Sequence, residues 1–167
     1  AVPLLSRMNI LMIILDNSGT AMTGFQSHPG LCVNAMGCAA PDVDIAKICS
    51  AIGADVEIRD PFDFAETREA LNRLMEDEQG VKVLILRQKC ALSPEKRGTR
   101  TYNVRVDETL CIGEDCGCNR LCTRIFRCPA LVWDRENGRA RVDEVLCAGC
   151  GVCAQICPQS AIRKEVA

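Results

Sequence analysis

Four cysteines near the end of this chain restrict its fold more than any other feature. Cys147, Cys150, Cys153 and Cys157 read C-x2-C-x2-C-x3-C and run into Pro158. Three thiolates on one tight loop can hold three corners of an iron–sulfur cube, and the fourth cysteine of such a run points to a second cube. Gly149 and Gly151 let the backbone bend closely around the sulfurs. A zinc knuckle usually brings two separated CxxC pairs rather than three evenly spaced cysteines and a Cys-Pro. Disulfides are a more distant alternative. The apolar opening AVPLLSRMNILMIIL is interrupted by Arg7 and Asn9, and no small-residue cleavage site completes a secretory leader. Dense cysteine, 13 in 167 residues, is therefore read as metal-binding in a reducing, cytoplasmic setting.

A two-cluster unit needs a second run, and the sequence supplies one with a surplus. Cys111, Cys116, Cys118, Cys122 and Cys128-Pro129 offer five cysteines where four suffice. By the exchange rule, Cys128 joins Cys147, Cys150 and Cys153 at one 4Fe–4S cluster. Cys157 then joins three of Cys111, Cys116, Cys118 and Cys122 at the other. The stretch CIGEDCGCNRLC departs from the regular spacing by an insertion. The favoured set is Cys111, Cys118, Cys122 and Cys157, with Cys116 the alternative ligand or a spare thiol. A single working cluster beside a decayed site is the competing reading. The near-repeat VDETLC (106–111) and VDEVLC (142–147) supports a duplicated ferredoxin-like α+β unit. Clusters of this kind conduct electrons and need another group to do organic chemistry.

The remaining cysteines, Cys32, Cys38, Cys49 and Cys90, are scattered, which marks a change of domain. The polar stretch Ser93–Asn103, with Pro94 and Gly98, reads as a linker between a domain over 1–92 and one over 104–167. The first domain alternates strands and helices. Asn9–Leu15 is a continuous apolar run expected of a strand buried on both faces. Asp42 can cap a helix carrying Ile45, Ile48, Cys49 and Ile52, stopped by Gly53. Asp55–Arg59 alternates as a strand. Asp63 and Glu66 have capping-box spacing before a helix with a Leu71, Leu74 and Met75 stripe, ended by Gly80. Val81–Leu86 is another strand. This order gives an α/β fold with a partial parallel sheet, to which further strands are expected to be added from elsewhere. Twenty basic and 22 acidic residues, net −2, argue against bulk electrostatic binding of nucleic acid. The longest clean apolar run, Ile10–Leu15, is too short to span a bilayer.

The segment Asp16–Gly24 follows the first strand, where open parallel sheets bind ligands. The Asn17 side-chain carbonyl and the Gly19 backbone carbonyl suit Mg²⁺ as hard oxygen ligands. The alternative is a polar loop that merely ends a strand.

The segments ILDNSGTAMTGFQSHPG, VDIAKICSAIGADVEIRDPFDFAETREAL and LILRQKCAL, followed by the double cysteine run, together resemble one family. It is the C-terminal part of the large subunit of indolepyruvate:ferredoxin oxidoreductase, within the thiamine-diphosphate-dependent 2-oxoacid:ferredoxin oxidoreductases (EC 1.2.7 type). The resemblance implies that Asp16, Asn17, Gly19, Met22, Thr23 and Gly24 help close a thiamine-diphosphate site. Asn17 and the Gly19 carbonyl would hold its Mg²⁺. It further implies oxidative decarboxylation of an aryl 2-oxoacid with CoA, with electrons leaving singly to a soluble ferredoxin. The family's upstream Gly-Asp-Gly/Ser motif and pyrimidine-side glutamate are absent from these residues. The rest of the large subunit or a companion chain, and a small (beta) subunit, are thus expected partners. This segment alone is expected to carry clusters without decarboxylating anything. A non-catalytic iron–sulfur electron-transfer subunit of a larger redox complex is the alternative reading.

Other residues carry paired readings. His28, the single histidine, could approach substrate or simply close the turn before Pro29-Gly30. Cys49 reads as core, and Cys32, Cys38 and Cys90 as reduced thiols. Trp133 and Phe126 read as packing near the clusters rather than relaying electrons. Arg120, Arg124 and Arg127 could dock an acidic partner or raise a cluster's potential, against a solvated helix face.

Overall fold

The computed structural model describes residues 8–93, 95 and 98–167. Arg7 of the apolar opening, and Pro94 of the expected linker, lie outside them. The chain divides into two compact units, 1–95 and 96–167.

The first unit is a three-stranded parallel sheet with a helix on each face. Its elements are β1 (Ile10–Asp16), α1 (Ile45–Ala51), β2 (Asp55–Arg59), α2 (Phe64–Glu76) and β3 (Val81–Arg87). The strand order is β1-β3-β2, with β3 parallel to both neighbours. Side chains alternate across a strand, and β3 uses both faces. Val83 and Ile85 pack with Cys49 and Ala54 below α1. Leu84 packs with Ala70 and Leu74 of α2. The fold class is α/β.

Several local expectations are corrected. β1 is not buried on both faces: Met12 is 51% exposed and Leu15 75%. It stands at the sheet edge, and the centre belongs to β3. Lys82 hides that fact in the sequence. Its stem is buried, while its ammonium reaches the Asn9 Oδ1 at 3.0 Å and the Asp77 carbonyl. The α1 cap is Asp44, not Asp42. The Asp44 carboxylate accepts the N–H groups of Ala46 (2.9 Å) and Lys47 (3.2 Å). Ile48 and Ile52 face outward and Ile45, Ala46 and Cys49 face the sheet. In α2, Met75 is exposed and Ala70 takes its place in the buried stripe. The Asp63 cap accepts the Glu66 N–H at 3.1 Å. The expected linker is shorter than Ser93–Asn103. Ser93 is buried and its N–H closes a turn on the Cys90 carbonyl. Tyr102 and Asn103 already belong to a strand, because they pair with Val166 and Glu165.

The second unit holds two antiparallel strand pairs. β4 (Tyr102–Val106) pairs with β7 (Ile162–Val166), and β5 (Leu131–Asp134) with β6 (Arg139–Val142). A short helix, α3 (Leu121–Arg124), and two 3-10 turns (Gly113–Cys116 and Val152–Gln155) join them among the described residues. Leu131, Cys153 and Ile162 form the core, with Val104, Val106 and Val142 around them. A shift of 36 residues carries Val106-Asp107 onto Val142-Asp143 and Cys111 onto Cys147. Both aspartates sit in matching turns. The Asp107 backbone N–H reaches the Ala161 carbonyl, and the Asp143 N–H the Ala130 carbonyl, each at 2.7 Å. The Asp107 carbonyl accepts from Cys111 at 2.9 Å, and the Asp143 carbonyl from Cys147 at 3.0 Å. Each turn thus delivers the first cysteine of a run.

Candidate metal centre

Nine cysteines lie in the second unit, and their placement follows neither run in sequence order. Cys111, Cys116, Cys118, Cys122 and Cys157 line one cavity, together with Arg120, Leu121, Trp133 and Ile162. The Ala161 N–H donates to the Cys157 Sγ at 3.3 Å. Cys157, from the second run, therefore stands among the thiols of the first. The converse holds elsewhere. The buried Cys153 thiol has Cys150, Cys128 and Cys147 as its charged neighbours. Burial first, and then those three thiols, push its pKa up to about 12.

That displacement tests the donor set chemically. Four clustered thiols in apolar surroundings cannot shed their protons together unless cationic iron compensates them. Among the described residues, no three His, Cys, Asp or Glu side chains converge on one ion's position. Cysteines spread around one cavity suit an iron–sulfur cube, which needs its cysteines further apart than one tetrahedral ion does. The residues fit 4Fe–4S ligation.

Glycines make the approach possible. A Cβ at Gly113 would collide with the Gly138 carbonyl oxygen. One at Gly149 would lie 2.8 Å from the Tyr102 carbonyl oxygen, and one at Gly151 2.7 Å from the Tyr102 ring. Gly113 and Gly149 are equivalent under the 36-residue shift, as are Gly138 and Tyr102. Sequence reasoning missed Gly113, Gly138 and Tyr102, although the repeat was enough to find Gly113.

The two cysteines of the insertion differ. The Cys118 thiol is lowered despite burial, which is the largest single influence and acts upward. N–H groups of Leu121 and Arg120 and the Cys116 thiol together outweigh it. Burial pushes the Cys116 thiol up. Yet Gly117 (φ 70°, ψ −1°) repeats the backbone of Gly151 (φ 72°, ψ −1°), which sets Cys116 at the station of Cys150.

The loop after β1 is the other candidate site. The Asp16 carboxylate accepts the Ser18 N–H at 3.3 Å and the Arg87 Nε at 2.8 Å. The Asn17 Oδ1 accepts the Gly19 N–H at 3.2 Å, and the Asn17 carbonyl the Cys90 N–H at 3.0 Å. Ser18 and Phe25 occupy the left-handed region at φ 57° and 61°. Ala21–Thr23 form a 3-10 turn closed by Gly24 at φ 116°. Met22 is 99% exposed, and the Thr23 hydroxyl donates to the Gln26 Oε1 at 2.6 Å. The Asn17 Oδ1 that accepts the Gly19 N–H keeps a second lone pair. His28 folds back on its turn, its Nδ1 accepting the Gly30 N–H at 3.1 Å. Cys32 and Cys38 are exposed, Cys90 is half-buried and Cys49 is buried. Among the described residues, no helix is long and apolar enough to cross a membrane.

Comparison with known proteins follows the same division. Residues 5–86 match the thiamine pyrophosphate enzyme, C-terminal TPP binding domain. Residues 140–163 match the 4Fe-4S binding domain. The indolepyruvate oxidoreductase subunit IorA of Thermococcus kodakarensis is 41% identical over 165 residues, 95% of this chain and 24% of that protein. The IorA of Pyrococcus horikoshii is 38% identical over 164 residues, with the same coverage of each. The pyruvate synthase subunit PorD of Methanothermobacter marburgensis is 37% identical over 66 residues, 40% of this chain and 69% of that protein. The chain thus spans about a quarter of the length of its IorA relatives. No solved structure matches it.

Proposed function

We propose that this chain, which is similar to the indolepyruvate oxidoreductase subunit IorA over 95% of its length, forms the electron exit of a cytoplasmic 2-oxoacid:ferredoxin oxidoreductase. The complete enzyme converts indolepyruvate or another aryl 2-oxoacid, CoA and oxidised ferredoxin into acyl-CoA, CO₂ and reduced ferredoxin. The observation that carries this reading is the crossing of the cysteines, Cys157 among the first run and Cys128 beside Cys153.

In this proposal, residues 1–92 complete a thiamine-diphosphate domain and residues 104–167 hold two 4Fe–4S clusters. Cys111, Cys118, Cys122 and Cys157 ligate the first, with Cys116 the alternative. Cys128, Cys147, Cys150 and Cys153 ligate the second. Thiamine diphosphate, when bound, supplies the carbanion chemistry that releases CO₂ and leaves electrons to be removed. The chain's own part is narrower. Asn17 and the Gly19 carbonyl grip Mg²⁺, Asp16 fixes the loop through Ser18 and Arg87, and Met22, Thr23 and Gly24 wall the cofactor. The apolar surroundings of the thiols exclude water from the clusters. The rest of the large subunit, or a companion chain, and the small subunit complete the site.

Anaerobic reconstitution with iron and sulfide tests the centre. About eight irons per chain are expected for two cubes. About four irons, or bound zinc, would overturn the two-cluster proposal. The 37% identity to the PorD subunit favours a second reading, a non-catalytic electron-transfer subunit. A Gly-Asp-Gly/Ser motif in the adjoining polypeptide supports the enzyme, and its absence supports the carrier.

A further inference from the structure

Three arginines fall in the irregular cysteine run, and the structure separates one from the others. Arg120 occupies the left-handed region at φ 55°, where a residue other than glycine is strained. Two contacts hold it. Its guanidinium carbon lies 4.3 Å from the centroid of the Trp133 ring, within cation–π range. The same guanidinium pairs with the Glu114 carboxylate. Arg120 and Trp133 both line the cavity that carries Cys111, Cys118, Cys122 and Cys157, and Glu114 does not. Glu114 lies along an outer groove that Arg120 also lines, with Asn119 and Arg124. Arg120 thus borders both the thiol-lined cavity and the outer groove, whereas Glu114 borders only the groove. Arg124 turns to the Asn119 side-chain carbonyl and stays on the groove.

The other half of the unit provides an internal contrast. Trp133 pairs with Ala140, and Lys164 with Val104. The 36-residue shift carries Val104 onto Ala140, so Trp133 and Lys164 hold the same station. In the second half that station carries the cation, whose ammonium lies 4.8 Å over the Tyr102 ring. The first half places an aromatic there and recruits its cation from the insertion.

We propose that Arg120 raises the potential of the cluster beside it by stabilising its reduced form. The inference rests on the two-cluster reading above. The cluster accepts one electron, supplied by 2-oxoacid oxidation, and passes it to an oxidised ferredoxin-type acceptor. No bond is made or broken in the transfer. Reduction adds one negative charge to the cluster. A fixed guanidinium beside the cluster favours the reduced state. Trp133 positions the guanidinium, and Glu114 moderates its field.

Redox titration of the anaerobically reconstituted full-length enzyme, followed by electron paramagnetic resonance, tests this. In Arg120→Gln, the reduced-to-oxidised ratio of one cluster at fixed potential is expected to fall about tenfold, or about 59 mV for one electron. The other cluster stays put. Glu114→Gln should move the same cluster the opposite way, a sign reversal that loosened packing would not produce. Arg120→Lys should retain most of the wild-type value. Unmoved potentials in Arg120→Gln with about eight irons bound, or shifts of equal sign in Arg120→Gln and Glu114→Gln, overturn the role of Arg120. Should Arg120→Gln fail to fold, the direction of the Glu114→Gln shift decides alone. Wild-type enzyme holding only about four irons overturns the two-cluster reading itself, and this inference with it.

Discussion

The two halves of the cysteine-rich unit share one plan and differ in one insertion. In the second half, three cysteines follow at regular intervals, and one 3-10 turn (Val152–Gln155) holds Cys153. In the first, a 3-10 turn (Gly113–Cys116) and α3 divide the work, and five cysteines replace four. The shared parts are backbone devices: the aspartate turn, the glycine two residues after its cysteine, and the carbonyl that glycine meets. The differing parts are side chains around the cavity. The difference teaches that such a repeat fixes where a cluster sits, while the insertion is free to alter what the cluster feels.

The glycines break this comparison most severely. A Cβ at Gly113 meets a backbone oxygen, which cannot swing aside, and Gly113 also sits at φ 64°. Gly113→Ala is expected to abolish the first cluster, lowering bound iron from about eight to about four. Gly149→Ala, blocked by the Tyr102 carbonyl and the Arg100 side chain, should abolish the second instead. Gly117→Ala is the control. It has the same left-handed backbone at φ 70° but nothing within 4 Å of a Cβ. It should cost only about 1–2 kcal/mol, and keep its iron. Full iron in Gly113→Ala would mean the halves are not built on one plan.

Cys116 and Cys118 sharpen the comparison at the next level. Cys118→Ser is expected to lose about four irons and Cys116→Ser to lose none. The N–H groups of Leu121 and Arg120 already favour the Cys118 thiolate, as ligation requires. The Gly117 backbone argues the other way, for Cys116. A thiolate must reach the iron, so the bonds at sulfur weigh more than the backbone match. Iron analysis with the reverse outcome would give the ligand role to Cys116.

The sequence revealed what is local and hid what depends on neighbours. β2 was legible at its observed limits, Asp55–Arg59, because period-two alternation is written within the strand. The Asp63 cap was legible for the same reason. The burial of β1 was not. Its apolar run is genuine, yet β3 lies between β1 and β2, and no segment encodes that order. Asp42 and Asp44 stand two residues apart, and only the geometry at Ala46 and Lys47 chooses between them. The cysteines announced themselves by spacing. The Arg120–Trp133 stack did not, because Trp133 reaches the cavity through the pairing of β5 with β6.

The smallest expected effect lies at the paired aspartate turns. The Asp107 carboxylate accepts from the Thr109 hydroxyl at 2.6 Å and from its N–H at 3.0 Å. Its counterpart, Asp143, accepts only N–H groups, from Val145 and Leu146, since Val145 stands where the repeat has Thr109. The Thr109 hydroxyl, first, and then its N–H hold the Asp107 pKa below the usual carboxylate value of 3.8. A carboxylate lowered by folding stabilises the fold above its unfolded pKa, and that contribution is lost as pH falls through the folded value. Thr109→Val removes the hydroxyl and brings the first turn closer to the second. Its Asp107 pKa should rise toward the ordinary range, so that acid unfolding begins at a higher pH than in the wild type. Circular dichroism followed from neutral to acid pH reads the midpoint. Valine at 109 with an unmoved midpoint would show that the hydroxyl bond does not distinguish the halves.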